Sequence, residues 1–182
     1  MQRQGGVSVP VEANEAAVLV AEVRDFIASR RMLCIASLTR DGRPHASTAP
    51  FLASDGCFYL LLSDLSEHAI NLRAYSQASV LLQADEVDTR QPFARLRLSF
   101  EVEVVLIERD QPLWRSRIER MRERFGAIVD QLVQLQDFNL FELRPSRGRY
   151  VKGFGRAYEL DGLEQQLVLH VQSGAEGDSG GT

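Results

Sequence analysis

Apolar and polar positions change period several times along this chain, and each change marks an element. Residues 14–30 carry Val18, Val20, Val23, Phe26 and Ile27 at roughly helical spacing, which predicts a first helix with a partly apolar face. Residues 32–38, 44–52 and 57–62 then read as strands. Thr39-Arg40-Asp41-Gly42 and Ala53-Ser54-Asp55-Gly56 join them. An Asp-Gly pair between apolar runs is a strong tight-turn signal, so the three strands predict an antiparallel meander.

Ser66 stands where an N-cap belongs, ahead of a short helix over residues 67–72. Residues 78–84 predict a further strand, and the acidic residues 85–88 a solvated loop. Alternation runs from 93 to 108, with Leu96, Leu98, Phe100, Val102 and Val104 on one side. A strand of that length bends, and in a small barrel it turns a corner. Asp110 is placed to cap a helical region over 111–136, interrupted at Gly126, whose arginines and glutamates suit a solvated face. The last strands fall at 138–143 and 148–160. Gly153 and Gly155 flank Phe154, and glycine there permits a bulge or a close approach. Residues 167–171 form one more apolar run, and the glycine-rich, acidic residues 173–182 predict disorder.

The pattern predicts a mainly β, α+β domain: a six-stranded antiparallel split β-barrel over 14–160. A flexible N-terminus, 1–13, precedes it and a C-terminal extension, 161–182, follows. A sandwich is the alternative.

Composition narrows the function. At 182 residues and 45% hydrophobic content, one domain is expected. No stretch approaches the roughly 20 apolar residues of a membrane helix, and residues 1–10 lack an apolar run like a signal peptide, so a cytoplasmic protein is expected. A net charge of −4 argues against nucleic-acid binding. Cys34 and Cys57 sit in apolar, strand-like runs and read as buried reduced thiols, too few and badly spaced for zinc. Lys152 is the one lysine among arginines, whose planar fork suits carboxylate or phosphate. No phosphate-binding P-loop, dinucleotide fingerprint or hydrolase nucleophile elbow is present.

Three stretches could carry chemistry. Ser63, Ser66, His68 and Asn71 gather hydroxyls, an imidazole and an amide at a strand end and first helical turn, where backbone N–H groups favour an anion. Ordinary capping is the competing reading. Arg95 and Arg97 fall at i and i+2 of a strand, so both guanidiniums point one way, toward an anion or toward the acidic residues 85–88. Asp137 precedes an apolar strand, as a lone acid or a helix terminator. His45, His68 and His170 are far apart in sequence.

Five segments then occur in a telling order: Pro44-x-x-Ser47-x-Ala49-Pro50-Phe51, residues 63–72, Arg95-x-Arg97-Leu98, Leu135-Gln136-Asp137-Phe138, and Val151-Lys152-Gly153-Phe154-Gly155-x-Ala157-Tyr158. Over residues 22–158 the chain resembles the HugZ/HutZ haem-utilisation proteins, a branch of the pyridoxamine 5′-phosphate oxidase-like, FMN-binding split-barrel superfamily. The resemblance implies a homodimer with two equivalent sites at the subunit interface. In the superfamily those sites hold FMN. In this branch they hold haem, opened oxidatively with O₂ and an electron donor to release iron. Arg97 matches a basic residue of the haem pocket, with Ser63, Ser66, His68, Asn71, Arg95 and Lys152 as further cofactor-binding candidates. Asp137 matches an acid that supports the axial histidine across the dimer. The expected place of that histidine falls at about Ala175. His170, five residues earlier, is the tail's candidate ligand, with an ordinary surface histidine as the alternative. An FMN-dependent oxidoreductase acting on a small molecule and a non-enzymatic haem carrier are the competing functions.

Overall fold

The computed structural model describes residues 7–163 and 168–172. The expectations for residues 173–182, and for Ala175 within them, lie outside the described residues.

Helix α1 (Ala13–Ser29) buries Leu19, Val23 and Ile27, an i, i+4, i+8 stripe, while Val18 remains exposed. The buried face is therefore rotated from the one expected from Val18 and Val20. Strands β2 (Met32–Leu38) and β3 (Pro44–Pro50) form a hairpin in full register from Met32↔Pro50 to Leu38↔Pro44. The second expected strand, 44–52, does not run unbroken. Pro50 has no N–H to donate, the Phe51 N–H goes back to the Arg31 carbonyl, and the Phe51 ring packs edge-on against Phe58 at 5.5 Å. The chain breaks there, so β4 (Leu52–Ser54) pairs only with β5 (Cys57–Ser63). The meander is two hairpins. Asp55 and Gly56 both take positive φ, 49° and 73°, as the primed hairpin turn requires.

Helix α2 (Glu67–Ala74) leads into β6 (Gln77–Gln83). A 3₁₀ turn over Pro92–Ala94 replaces the start of the long expected strand, so β7 runs Arg97–Ile107. Arg95 thus lies before the strand, and the shared strand face expected for Arg95 and Arg97 does not form. Helices α3 (Pro112–Phe125) and α4 (Ile128–Leu132) are separated at Gly126, φ 84°, as expected. Gln111, not Asp110, occupies the N-cap of α3, with no side-chain cap bond.

Strand β8 (Phe138–Gly153) is continuous for 16 residues where two strands were expected. It survives Pro145 because its register against β7 slips between Phe100 and Val102. Gly153 and Gly155 take positive φ in the reversal to β9 (Arg156–Asp161), so Phe154 tips a hairpin rather than interrupting a strand. Strand β10 (Val168–Gln172) pairs with β9 and with β1 (Val7–Pro10).

The hydrogen-bonded path is β1-β10-β9-β8-β7-β6-β2-β3, and with β4 and β5 off it the described residues form ten strands. One edge of β8 pairs with β7 along most of its length. The other pairs with β5 over residues 138–143 and with β9 over 147–153. This division makes an antiparallel, unclosed split barrel in an α+β domain. Inside it, Phe58, Leu60, Phe100, Phe141 and Tyr150 form the main core, covered by α1 and α2. A second core, around Tyr59, Ile118, Met121 and Leu140, lies under α3 and α4.

Candidate functional site

The end of β5 and the start of α2 converge with the loop before β8. Ser63 Oγ donates to Asp137 Oδ2 at 2.5 Å, and the Asp64 N–H donates to the Asp137 carbonyl at 2.8 Å. Ser63 Oγ also accepts the Leu65 N–H at 3.1 Å. Asp64 takes Arg73 in a two-pronged ion pair, at 2.9 and 3.2 Å, and accepts from Asn139 at 2.9 Å. Ser66 sits at the N-cap of α2 but makes no cap bond. Its hydroxyl turns to the Ser63 carbonyl at 2.6 Å. The serine is spent on the turn, not on the helix.

One turn along α2, His68 Nδ1 lies 3.0 Å from Ser47 Oγ, and Asn71 donates to buried Ser37 Oγ at 3.1 Å. His45 Nε2 lies 3.6 Å from a Glu67 carboxylate oxygen, and its Nδ1 is buried without a partner among the described residues. Burial, with nearby His45, pushes the His68 pKa below that of a free imidazole, so His68 favours the neutral form.

The remaining candidates separate. Arg95 binds the Ala84 carbonyl at 2.7 Å and Glu86 at 3.3 Å, which is the pairing with the acidic loop. Lys152 forms an ion pair with Glu22 of α1. Arg97 is exposed and bonds only the Arg95 carbonyl, at 3.1 Å, among the described residues. His170 lies on β10, its ring stacked on Tyr158 at 5.1 Å and its Nε2 3.0 Å from the Gly155 carbonyl. With Nε2 donating, Nδ1 carries the lone pair. Among the described residues no group of three or more His, Cys, Asp or Glu could hold a metal ion.

Register explains the separation. Ile35, Ser47 and Val80 are mutual neighbours through β2 and so share the core face, on which α2 lies. Gln83 and Arg97 are cross-strand neighbours on the opposite face. The Ser63–Asn71 group and Arg97 therefore lie on opposite sides of one sheet. On the Arg97 side, Met32, Cys34 and Leu81 line a cavity of about 420 Å³, rimmed by Arg31, Arg95 and the Arg30–Asp85 ion pair. Arg149, exposed on β8 opposite Ser99, adds another cation to that face.

Sequence reasoning missed His45, Arg73 and Arg149 as neighbours of the candidates. His45 was visible in principle, since His45, Ser47 and Ala49 alternate on one face of β3. Nothing in local spacing links Arg73 to Asp64, nine residues away across a helix end.

Comparison with known proteins finds the family model "Pyridoxamine 5'-phosphate oxidase" matching residues 19–152. The Vibrio cholerae protein named heme oxygenase HutZ is 41% identical over 156 residues, 86% of this chain and 89% of that protein. The solved structure of V. cholerae HutZ, described as a heme storage protein, matches with a TM-score of 0.69 and 39% identity, over 80% of this chain and 97% of that one. Campylobacter jejuni ChuZ shares the fold, with a TM-score of 0.78 and 21% identity over 95% of this chain and 81% of its own.

Proposed function

The chain belongs to the pyridoxamine 5′-phosphate oxidase family, in its HutZ-like branch, and from that premise we propose that it is a haem-binding protein of haem-iron utilisation that opens haem oxidatively and releases the iron. The observation that carries this reading is the 41% identity to the protein named heme oxygenase HutZ across 86% of the chain. O₂ and an electron donor are the co-reactants. Both cysteines are free thiols, which fits the reducing cytoplasm, where such a donor is found.

The site we assign lies between two copies of the chain. What supports this is that one protomer places Arg97 and the Ser63–Asn71 group on opposite faces of its sheet, so a second subunit is needed for both to meet one ligand. Haem is flat and apolar with two carboxylates at one edge. Cys34, Met32 and Leu81 offer it apolar surface, and Arg97 offers a guanidinium with no carboxylate partner among the described residues. His170 would give iron its Nδ1. The Gly155 carbonyl then fixes the tautomer, as a second partner commonly does for a ligating imidazole. In the dimer Asp137 Oδ1 is the alternative acceptor for the one His170 ring N–H, in place of the Gly155 carbonyl, while its Oδ2 holds Ser63.

Adding hemin to the purified protein tests the reading. A Soret band saturating at about one haem per protomer is expected, lost under ascorbate and O₂ as ferrous iron appears. A yellow protein carrying flavin as isolated, with no hemin uptake, would overturn it in favour of FMN chemistry. The description of V. cholerae HutZ as a heme storage protein favours a second reading, storage. Haem that binds but persists with reductant and O₂ would select it. His170→Ala is expected to shift the Soret band; an unchanged spectrum removes His170 as the ligand.

A further inference from the structure

Away from the sheet face just described, α1, the β4–β5 turn and α3 border an open cavity of about 440 Å³. Arg24, Arg120 and Arg124 line it, and Asp55 is its one acidic side chain. That carboxylate is already engaged: Arg117, which lies behind the cavity wall, forms an ion pair with it, and Ser54 donates to it at 3.0 Å. No carboxylate pairs with the three lining arginines among the described residues. Arg120 donates to the Ser54 hydroxyl and Arg124 to the Arg30 carbonyl, both neutral acceptors. Arg124 Nε is buried with no acceptor among the described residues.

Arg24 and Arg120 are exposed and Arg124 is half-buried, and three cations lining one cleft favour an anion between them. Burial lowers the Arg124 pKa, and Arg31 beside it adds to the effect. Elsewhere in this chain arginines find carboxylates, as Arg30 finds Asp85 and Arg122 finds Asp130. Here the one carboxylate is Asp55, held by Arg117 and also in the field of Arg120, so cations outnumber it, and Ile27 and Leu163 give the wall an apolar part. A concave surface of this size with few polar groups and an apolar floor is the ordinary form of a small-molecule site.

We propose that this cavity binds a small organic anion carrying two or more carboxylate or phosphate groups, its charged groups on Arg24, Arg120 and Arg124 and its carbon skeleton against Ile27 and Leu163. The site shares no residue with the proposed haem site and stands independently of it. Each guanidinium offers paired N–H donors to an anionic oxygen, so loss of one weakens binding about tenfold.

Calorimetric titration of the full chain with citrate and with pyrophosphate, each against sodium chloride at matched ionic strength, tests the proposal. Saturable binding of at least one probe is expected, and a preference between them assigns the carboxylate or phosphate class. Arg120→Gln should weaken it about tenfold. Arg24→Gln, on the exposed side of α1, should do the same and serves if the Arg120 variant folds poorly. Arg115→Gln, exposed on α3 outside the cavity, should leave it unchanged. Absence of saturable binding for both probes, or equal weakening by Arg115→Gln and Arg120→Gln, overturns the site and leaves only diffuse attraction to a basic surface.

Discussion

At the scale of single residues, the candidate chemistry divides by whether a side chain is already spent. Arg95 and Lys152 are held by Glu86 and Glu22, so little is expected from them beyond local order. Arg97 is different, since its one acceptor among the described residues is a backbone carbonyl. Arg97→Gln is expected to weaken hemin binding about tenfold in a spectroscopic titration, the loss of one charge-assisted contact. His68 gives a pH prediction. Burial lowers its pKa in the folded chain, so the unfolded chain binds the proton more readily. The resulting stability is present above about pH 6.5, the ordinary imidazole value, and declines as pH falls through it. The neighbours in that field are His45, Glu67 and the Ser47 hydroxyl. The urea midpoint should therefore drop between pH 7.5 and pH 5.5, and His68→Gln should flatten that drop; an equal slope in both proteins would exclude His68 as its source. The residues of the site were legible one by one, because hydroxyls and an imidazole at a strand-to-helix junction are a local signal. Their partners were not. Ser63 and Asp137 stand 74 positions apart, and only strand pairing between β5 and β8 brings them to 2.5 Å.

At the scale of elements, the sequence was legible where period and turn chemistry agreed, as in β2, whose observed bounds match the alternation, and at the Asp55-Gly56 turn. It was not where tertiary pairing overrode them. The run over 44–52 reads as one strand, but the Phe51 ring is drawn into the core against Phe58 and splits it. The polar stretch 144–147 reads as a gap, yet the bulge between Phe100 and Val102 carries β8 through it. That bulge adjoins Gly148, which faces Phe100 across the pair. A Cβ at Gly148 would overlap the Phe100 ring, with no open space on that side. Gly148→Ala is expected to destabilise the fold by about 1–3 kcal/mol in chemical denaturation, the range for overpacking a core. A variant as stable as the parent would show that this part of the barrel repacks freely.

At the scale of the whole molecule, the proposed function depends on association. One protomer presents Arg97 and Arg149 on a sheet face that α1 and α2 leave uncovered, and Met32 and Leu38 stand exposed on the β2 strand of that face at 48% and 43%. Its sequence is that of a family member across residues 19–152, and its fold is the split barrel of HutZ. The division of β8 between β5 and β9 ties the two halves of the barrel through one continuous strand. A dimer of this kind has a stated stoichiometry. Native mass spectrometry of the full chain after hemin addition reads subunit number and ligand mass in one spectrum. A dimer carrying two haems is predicted; a haem-free monomer, or a species whose added mass is that of flavin, would contradict it.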